Sequence, residues 1–228
     1  MTFDPDCRQN APEGDGTLAE QVFRRLSAAI LAGELVPGAK ISEPALAKQY
    51  GVSRGPLREA LHRLQERKLI TRSPNQGPRV VKPSAAVLAE LFVVREALEG
   101  MAARLAATNA TDAEIARLRA AVTENGTRDV GAELDERHDQ DFHFTIAQCS
   151  RNPMLIELLC AELYPLLRLY RGQLPAVRPH GRRAVIEHER IVSAIEERDP
   201  DLAELLMRRH IAAAQVRRET ALAQTNGV

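Results

Sequence analysis

Residues 41–70, ISEPALAKQYGVSRGPLREALHRLQERKLI, restrict the fold of this chain more than any other stretch. Ser42 can cap a short helix running through Tyr50, and Gly51 can take the left-handed backbone that stops it. Ser53 then starts a second helix, with Pro56 tolerated in its first turn, where a missing amide hydrogen removes no helical bond. Leu57, Leu61 and Leu64 are the buried stripe of that helix, which should end near Lys68. Two helices around a tight, glycine-bearing turn are the geometry of a helix-turn-helix. The flanks extend it. Leu18, Val22, Leu26 and Ile30 recur at helical spacing upstream, closed by Gly33, and Pro37-Gly38 marks a turn. Downstream, residues 69–72 and 78–82 read as two short strands around Ser73-Pro74-Asn75-Gln76-Gly77. Helix, helix, helix, hairpin is a winged-helix order.

The second helix also carries the chemistry that such a unit needs. Arg54, Arg58 and His62 recur every fourth residue and form a strip beside the leucines. Arginine can bond guanine bidentately, so Arg54 and Arg58 are the candidates for base contacts. Lys40, Ser53, Gly55 and the wing residues Asn75, Gln76 and Gly77 are suited to phosphates or the minor groove. The formal net charge of zero conceals a segregation: residues 17–82 hold twelve Lys/Arg against five Glu, a net +7, and the remainder is acidic. A basic first domain beside an acidic second one fits a protein of which one part meets phosphates.

The expected domains are a disordered arm at 1–16, a winged helix-turn-helix at 17–82 and an all-helical domain at 83–228. Beyond Pro83-Ser84 only helices are legible, at about 84–107, 112–125, 130–150, 154–171, 181–198 and 200–224, so the chain as a whole is expected to be mainly α with a C-terminal helical bundle. No apolar run of membrane-spanning length is present, and the acidic start is unlike a signal peptide, so a cytoplasmic location is expected. Cys7, Cys149 and Cys160 lack metal-binding spacing.

Three histidines of the second domain stand among apolar neighbours at helical spacing: His143 before Ile146 and Ala147, His188 between Val185 and Ile191, His210 between Leu206 and Ala213. All three are expected to face inward. Asp139 lies one turn before His143, on the same face. Imidazole and carboxylate together suit a divalent transition metal, zinc or nickel first, with open positions for water or a small carboxylate. Arg95 falls within the stripe Leu88, Leu91, Leu98, Ala102 and Leu105, and a buried guanidinium requires an anion. That anion is either Glu99, four residues on, or the carboxylate of a bound effector. Arg168, among leucines, is a second candidate of this kind. A competing use of the same cluster is a metal-dependent hydrolase or isomerase, but no residue is placed as a general base.

The motif Ser53-Arg54-Gly55-Pro56-Leu57-Arg58-Glu59-Ala60-Leu61, then Arg63-Leu64, then Pro74-Asn75-Gln76-Gly77 to Val80, resembles the DNA-binding domain of the GntR family of bacterial regulators. Gly55 replaces a hydroxyl residue, Pro44 stands where many members carry a basic residue, and Arg67-Lys68-Leu69 stands where the family pattern reads Glu-Gly-Leu. The second domain is similar to the FCD ligand-binding domain of FadR-type members, in which an Asp–x3–His on one helix joins a histidine on each of the last two. The resemblance implies Asp139, His143, His188 and His210 as metal ligands. It further implies a homodimer on a near-palindromic double-stranded operator, most commonly a repressor, whose DNA binding responds to a small organic acid, with no membrane partner.

Overall fold

A computed structural model describes residues 16–73, 77–82, 84–127, 136–173 and 181–225, with side chains described at 16–73, 77–82, 84–123, 142–170 and 183–220. The chain divides into two compact units, Met1–Lys82 and Pro83–Val228. The arm at 1–15 and the wing-tip residues 74–76 lie outside the described residues.

In the first unit, α1 (Leu18–Leu31), α2 (Glu43–Tyr50) and α3 (Arg54–Glu66) are followed by β1 (Ile70–Ser73) and β2 (Gly77–Val80). Each helix begins at a hydroxyl residue. The Thr17 side chain accepts from the Glu20 amide and Ser42 from the Ala45 amide, whereas Ser53 makes no side-chain capping bond. Gly51 closes α2 at φ +64, a conformation that costs a glycine little and sets the turn into α3. Val22, Leu26 and Ile30 of α1 meet Leu57, Leu61 and Leu64 of α3, with Leu46, Ile41, Ile70 and Val80 completing a dry core. The strands pair antiparallel with Ile70 opposite Val80 and Ser73 opposite Gly77. The segment before α2 joins them as a third edge: Ile41 donates to the Pro78 carbonyl at 2.8 Å and Val80 donates to that of Ala39 at 3.0 Å. Pro78 lacks an amide hydrogen, yet its carbonyl still closes this edge.

The second unit contains α4 (Ala85–Asn109), α5 (Asp112–Thr127), α6 (Glu136–Cys149), α7 (Pro153–Ile156), a π-helical segment (Glu157–Leu163), α8 (Tyr164–Gln173), α9 (Gly181–Glu196) and α10 (Pro200–Thr225). The long helices α4 and α10 pack together along much of their length. Gly100 permits the approach, since a Cβ there would lie 2.6 Å from Arg208 Cγ. The continuous helix expected at 154–171 instead contains the π turns. Leu155, Leu159, Leu163 and Leu167 recur every fourth residue and are all buried. Four residues overshoot an α-helical turn, so an unbroken α-helix would rotate this stripe away from the core, and the wider π turns hold it in place. Among the described residues, no helix is long and apolar enough to cross a membrane.

Among the described residues, three non-glycine residues have left-handed backbones: Lys68 at φ +55, Arg151 at +56 and Arg198 at +59. The two arginines use the turn. Arg151 bonds Glu114 at 2.8 and 2.9 Å, and Arg198 reaches the Ala110 carbonyl at 2.6 Å and Asp112 at 2.8 Å. Lys68 is exposed between α3 and β1. It occupies the glycine position of the Glu-Gly-Leu pattern, so the family preference has a backbone cause that this chain overrides. Lys68→Gly is therefore expected to stabilise the first unit by about 0.5–1 kcal/mol, read as a higher midpoint in urea unfolding followed by circular dichroism. An unchanged or lower midpoint would contradict backbone strain at this turn.

Candidate functional site

The first unit presents one basic surface built on α3. Leu57, Ala60, Leu61 and Leu64 point into the core, and Arg54, Arg58 and His62 are exposed along the flank of that stripe. The expected strip is therefore present, with its residues differently engaged. Arg58 Nε lies 3.2 Å from Glu43 Oε2, and Arg72 Nη2 lies 3.4 Å from Glu43 Oε1. His62 Nδ1 sits 3.6 Å from Glu66. Arg63 is turned away from this strip, pairing with Glu20 and lying 4.6 Å from the Phe23 ring centre. It fastens α3 to α1. Lys40 and Ser53 are exposed, Gly77 is exposed at φ +71, and the side chains of Asn75 and Gln76 lie outside the described residues. A Cβ on Gly55 would meet nothing within 4 Å, so the departure from a hydroxyl residue there is not forced by packing.

In the second unit His143 of α6, His188 of α9 and His210 of α10 are all buried, and each offers a ring nitrogen within 4.8 Å of the others. His188 Nε2 and His210 Nε2 are 3.2 Å apart. Two nitrogens on one metal at roughly 2.0–2.1 Å are separated by about 2.9 Å at a right angle and about 3.4 Å at the tetrahedral angle. The observed spacing lies between these values. Phe142 stacks on His188 at a centroid distance of 3.9 Å and walls the cluster on one side.

The outer ring nitrogens are held by carboxylates. His210 Nδ1 is 2.8 Å from Glu187 Oε2, and Glu187 is gripped by both terminal nitrogens of Arg217 at 3.0 Å. His143 Nδ1 is 2.5 Å from Glu99 Oε2, and the other oxygen of Glu99 bonds Arg95 Nε. Burial alone would raise the Glu99 carboxyl, but the Arg95 guanidinium and then His143 outweigh it and hold its pKa at about 2. At Glu187 burial again opposes, and the bonds to His210 and Arg217 bring the value down to about 2. A carboxylate behind the Nδ1 of a histidine fixes the ring and turns Nε2 toward a metal. Three buried histidines, two of them backed in this way, fit a divalent transition metal. Asp139 lies on α6 one turn before His143, and its side chain lies outside the described residues.

Sequence reasoning located the three inward histidines but not Glu187. Glu187 stands about 100° around α9 from His188 and reaches not that residue but His210 on α10, a cross-helix contact that spacing within one helix does not encode. Of the two anions open for Arg95, the structure supplies Glu99. Tyr164, at the end of the π turns, is a further member, its hydroxyl pushed well above its ordinary value by burial and then by the charge of Glu99. Arg168 corrects an expectation. It is exposed on α8 while Leu166, Leu167, Leu169 and Tyr170 take the core positions around it, so it does not join the buried cluster.

The FCD domain matches residues 90–213, and the domain described as bacterial regulatory proteins, gntR family, matches residues 18–80. The chain is 32% identical over 199 residues to the HTH-type transcriptional regulator LutR of Bacillus subtilis (strain 168), a match covering 78% of this chain and 91% of that one. It is 33% identical over 205 residues to a probable D-xylose utilization operon transcriptional repressor of Paenarthrobacter nicotinovorans, covering 86% of this chain and 87% of the relative. Among solved structures, E. coli McbR/YncC matches with a TM-score of 0.66 at 25% identity, over 92% of this chain and 99% of the other.

The buried pair on α4 has a direct energetic consequence. Arg95→Met leaves the Glu99 charge buried with less compensation and is expected to cost roughly 3–5 kcal/mol in urea unfolding, part of which is recovered in the Arg95→Met/Glu99→Gln double variant. A single-variant cost under about 1 kcal/mol would contradict it.

Proposed function

Because the chain belongs to the GntR family of bacterial transcriptional regulators and carries an FCD domain, we propose that it is a metal-containing, metabolite-responsive repressor. It is a transcriptional regulator and not an enzyme, and the hydrolase or isomerase alternative has no support. The observation that carries the finer reading is the convergence of three buried histidines, two of them backed by carboxylates at Nδ1.

In this reading Arg54 and Arg58 contact base edges from the first turns of α3, and Lys40, Ser53, Gly55, Asn75, Gln76 and Gly77 contact phosphates or the minor groove, with His62 at the far end of the strip. One recognition helix covers a half-site, so a homodimer binds a near-palindromic double-stranded operator. Exposed Val93, Val94 and Met101 on α4 and Leu205 on α10 offer apolar surface suited to a second copy.

His143, His188 and His210 hold zinc or nickel, with Asp139 as a fourth ligand. The bound metal supplies a fixed positive charge on which the carboxylate of a small organic acid can rest. Glu99 and Glu187 orient two of the imidazoles, and Phe142 keeps water from one side. Arg95 serves as the counter-ion of Glu99, so its guanidinium is already engaged within the buried cluster. Arg168, exposed on α8, stands outside the buried cluster. The acid changes operator affinity by binding one arrangement of the protein better than another. The reading places the protein in the cytoplasm.

Metal analysis of protein purified without added metal or chelator is expected to find about one divalent transition metal per chain. Glu187→Gln is expected to weaken its affinity by about 10–100-fold and His210→Ala to remove it. Wild-type protein that arrives empty and takes up neither zinc nor nickel would sink the metal reading. Arg58→Ala, with an intact circular dichroism spectrum, is expected to lose discrimination by about 1–3 kcal/mol between a duplex selected from a random library by the wild type and a scrambled one. Undiminished discrimination would remove Arg58 from base recognition.

A further inference from the structure

The Glu43 carboxylate stands on the basic face of the first unit, where an acid repels the phosphates of any bound duplex. It is the first residue of α2, and its side chain is 26% exposed. One oxygen takes Arg58 Nε of the recognition helix at 3.2 Å, and the other takes Arg72 Nη2 of β1 at 3.4 Å. A single carboxylate on α2 thus joins α3 to β1. As a source of stability it counts for little, because the Arg58 side chain is 64% exposed and such pairs are weak in water. Its geometry carries more. A guanidinium can meet guanine O6 and N7 through its Nε edge or through its two terminal nitrogens. Engagement of Nε by Glu43 removes the first mode and restricts the last torsions of a long, entropy-rich side chain before DNA arrives.

We propose that Glu43 is a positioning residue for base recognition: it grips the Nε edge of Arg58, presents the terminal nitrogen pair end-on to the groove, and is itself steadied from the wing by Arg72. This rests on the reading that Arg58 contacts bases. Glu43 makes no contact with DNA itself; it trades some phosphate attraction for discrimination.

The test uses the full chain with two duplexes, one selected from a random library by the wild-type protein and one scrambled, in the same salt. Glu43→Gln is expected to lower the ratio of the two affinities about tenfold while binding the scrambled duplex as well as, or better than, the wild type. Glu43→Asp keeps the charge on a shorter arm that does not reach Arg58, and is expected to lose discrimination likewise. In an Arg58→Ala background, Glu43→Gln is expected to add no further loss. A ratio within twofold of wild type for Glu43→Gln or Glu43→Asp, with discrimination lost in Arg58→Ala, overturns the role of Glu43 alone. Full discrimination by Arg58→Ala overturns the base-reading role of Arg58 and that of Glu43 with it. Equal losses from Glu43→Gln with and without Arg58 show a general effect on the unit and also overturn the proposal.

Discussion

The Glu99 carboxylate, buried between the Arg95 guanidinium and the His143 ring, is the interaction on which the second unit depends. A carboxylate removed from water is costly, and here Arg95 lies on the same helix while His143 comes from α6. The charge can therefore be accommodated only if α4 and α6 pack with these side chains in register. Tyr164, delivered by the π turns, adds α8 to the same point. This fixes the His143 ring, with its Nδ1 toward Glu99, beside the rings of His188 and His210. Glu187 does the same for His210 from α9, with Arg217 behind it. Two independently anchored rings and a third stacked on Phe142 form a site pre-organised by helix packing instead of by a loop.

The first unit reaches a comparable result with cheaper means. Its core is aliphatic, its helix starts use serine and threonine, and its charges stay at the surface, where they cost little to hold. What the two units share is a carboxylate placed behind a working side chain: Glu43 behind Arg58, and Glu99 and Glu187 behind histidines. In each case the carboxylate restricts the torsions of the guanidinium or imidazole that it holds.

The fold of the first unit was readable because its signals are local. The Leu57, Leu61 and Leu64 stripe, the Ser42 cap and the Gly51 turn each depend on residues within one or two turns, and the structure realises all three. The inward direction of His143, His188 and His210 was readable for the same reason, from apolar neighbours at helical spacing. The partners of those residues were not, since Glu187 to His210, Glu99 to His143 and Glu43 to Arg58 span 23, 44 and 15 residues and exist only once the helices are packed. The π turns escaped notice because a leucine at every fourth position is compatible with an α-helix over short lengths. Arg168 misled for the converse reason: leucines on both sides in sequence place it near the core in number but on the outer face in space.

The central claim is that the buried histidines hold a metal through the nitrogens their carboxylates leave facing inward. Anomalous diffraction from crystals of the full chain, grown without added metal or chelator, tests this most directly. The predicted result is one strong peak bonded to Nε2 of His143, His188 and His210, with Glu99 and Glu187 still against the opposite nitrogens. A cluster without anomalous density, its histidines bonded only to each other and to the two glutamates, would contradict it.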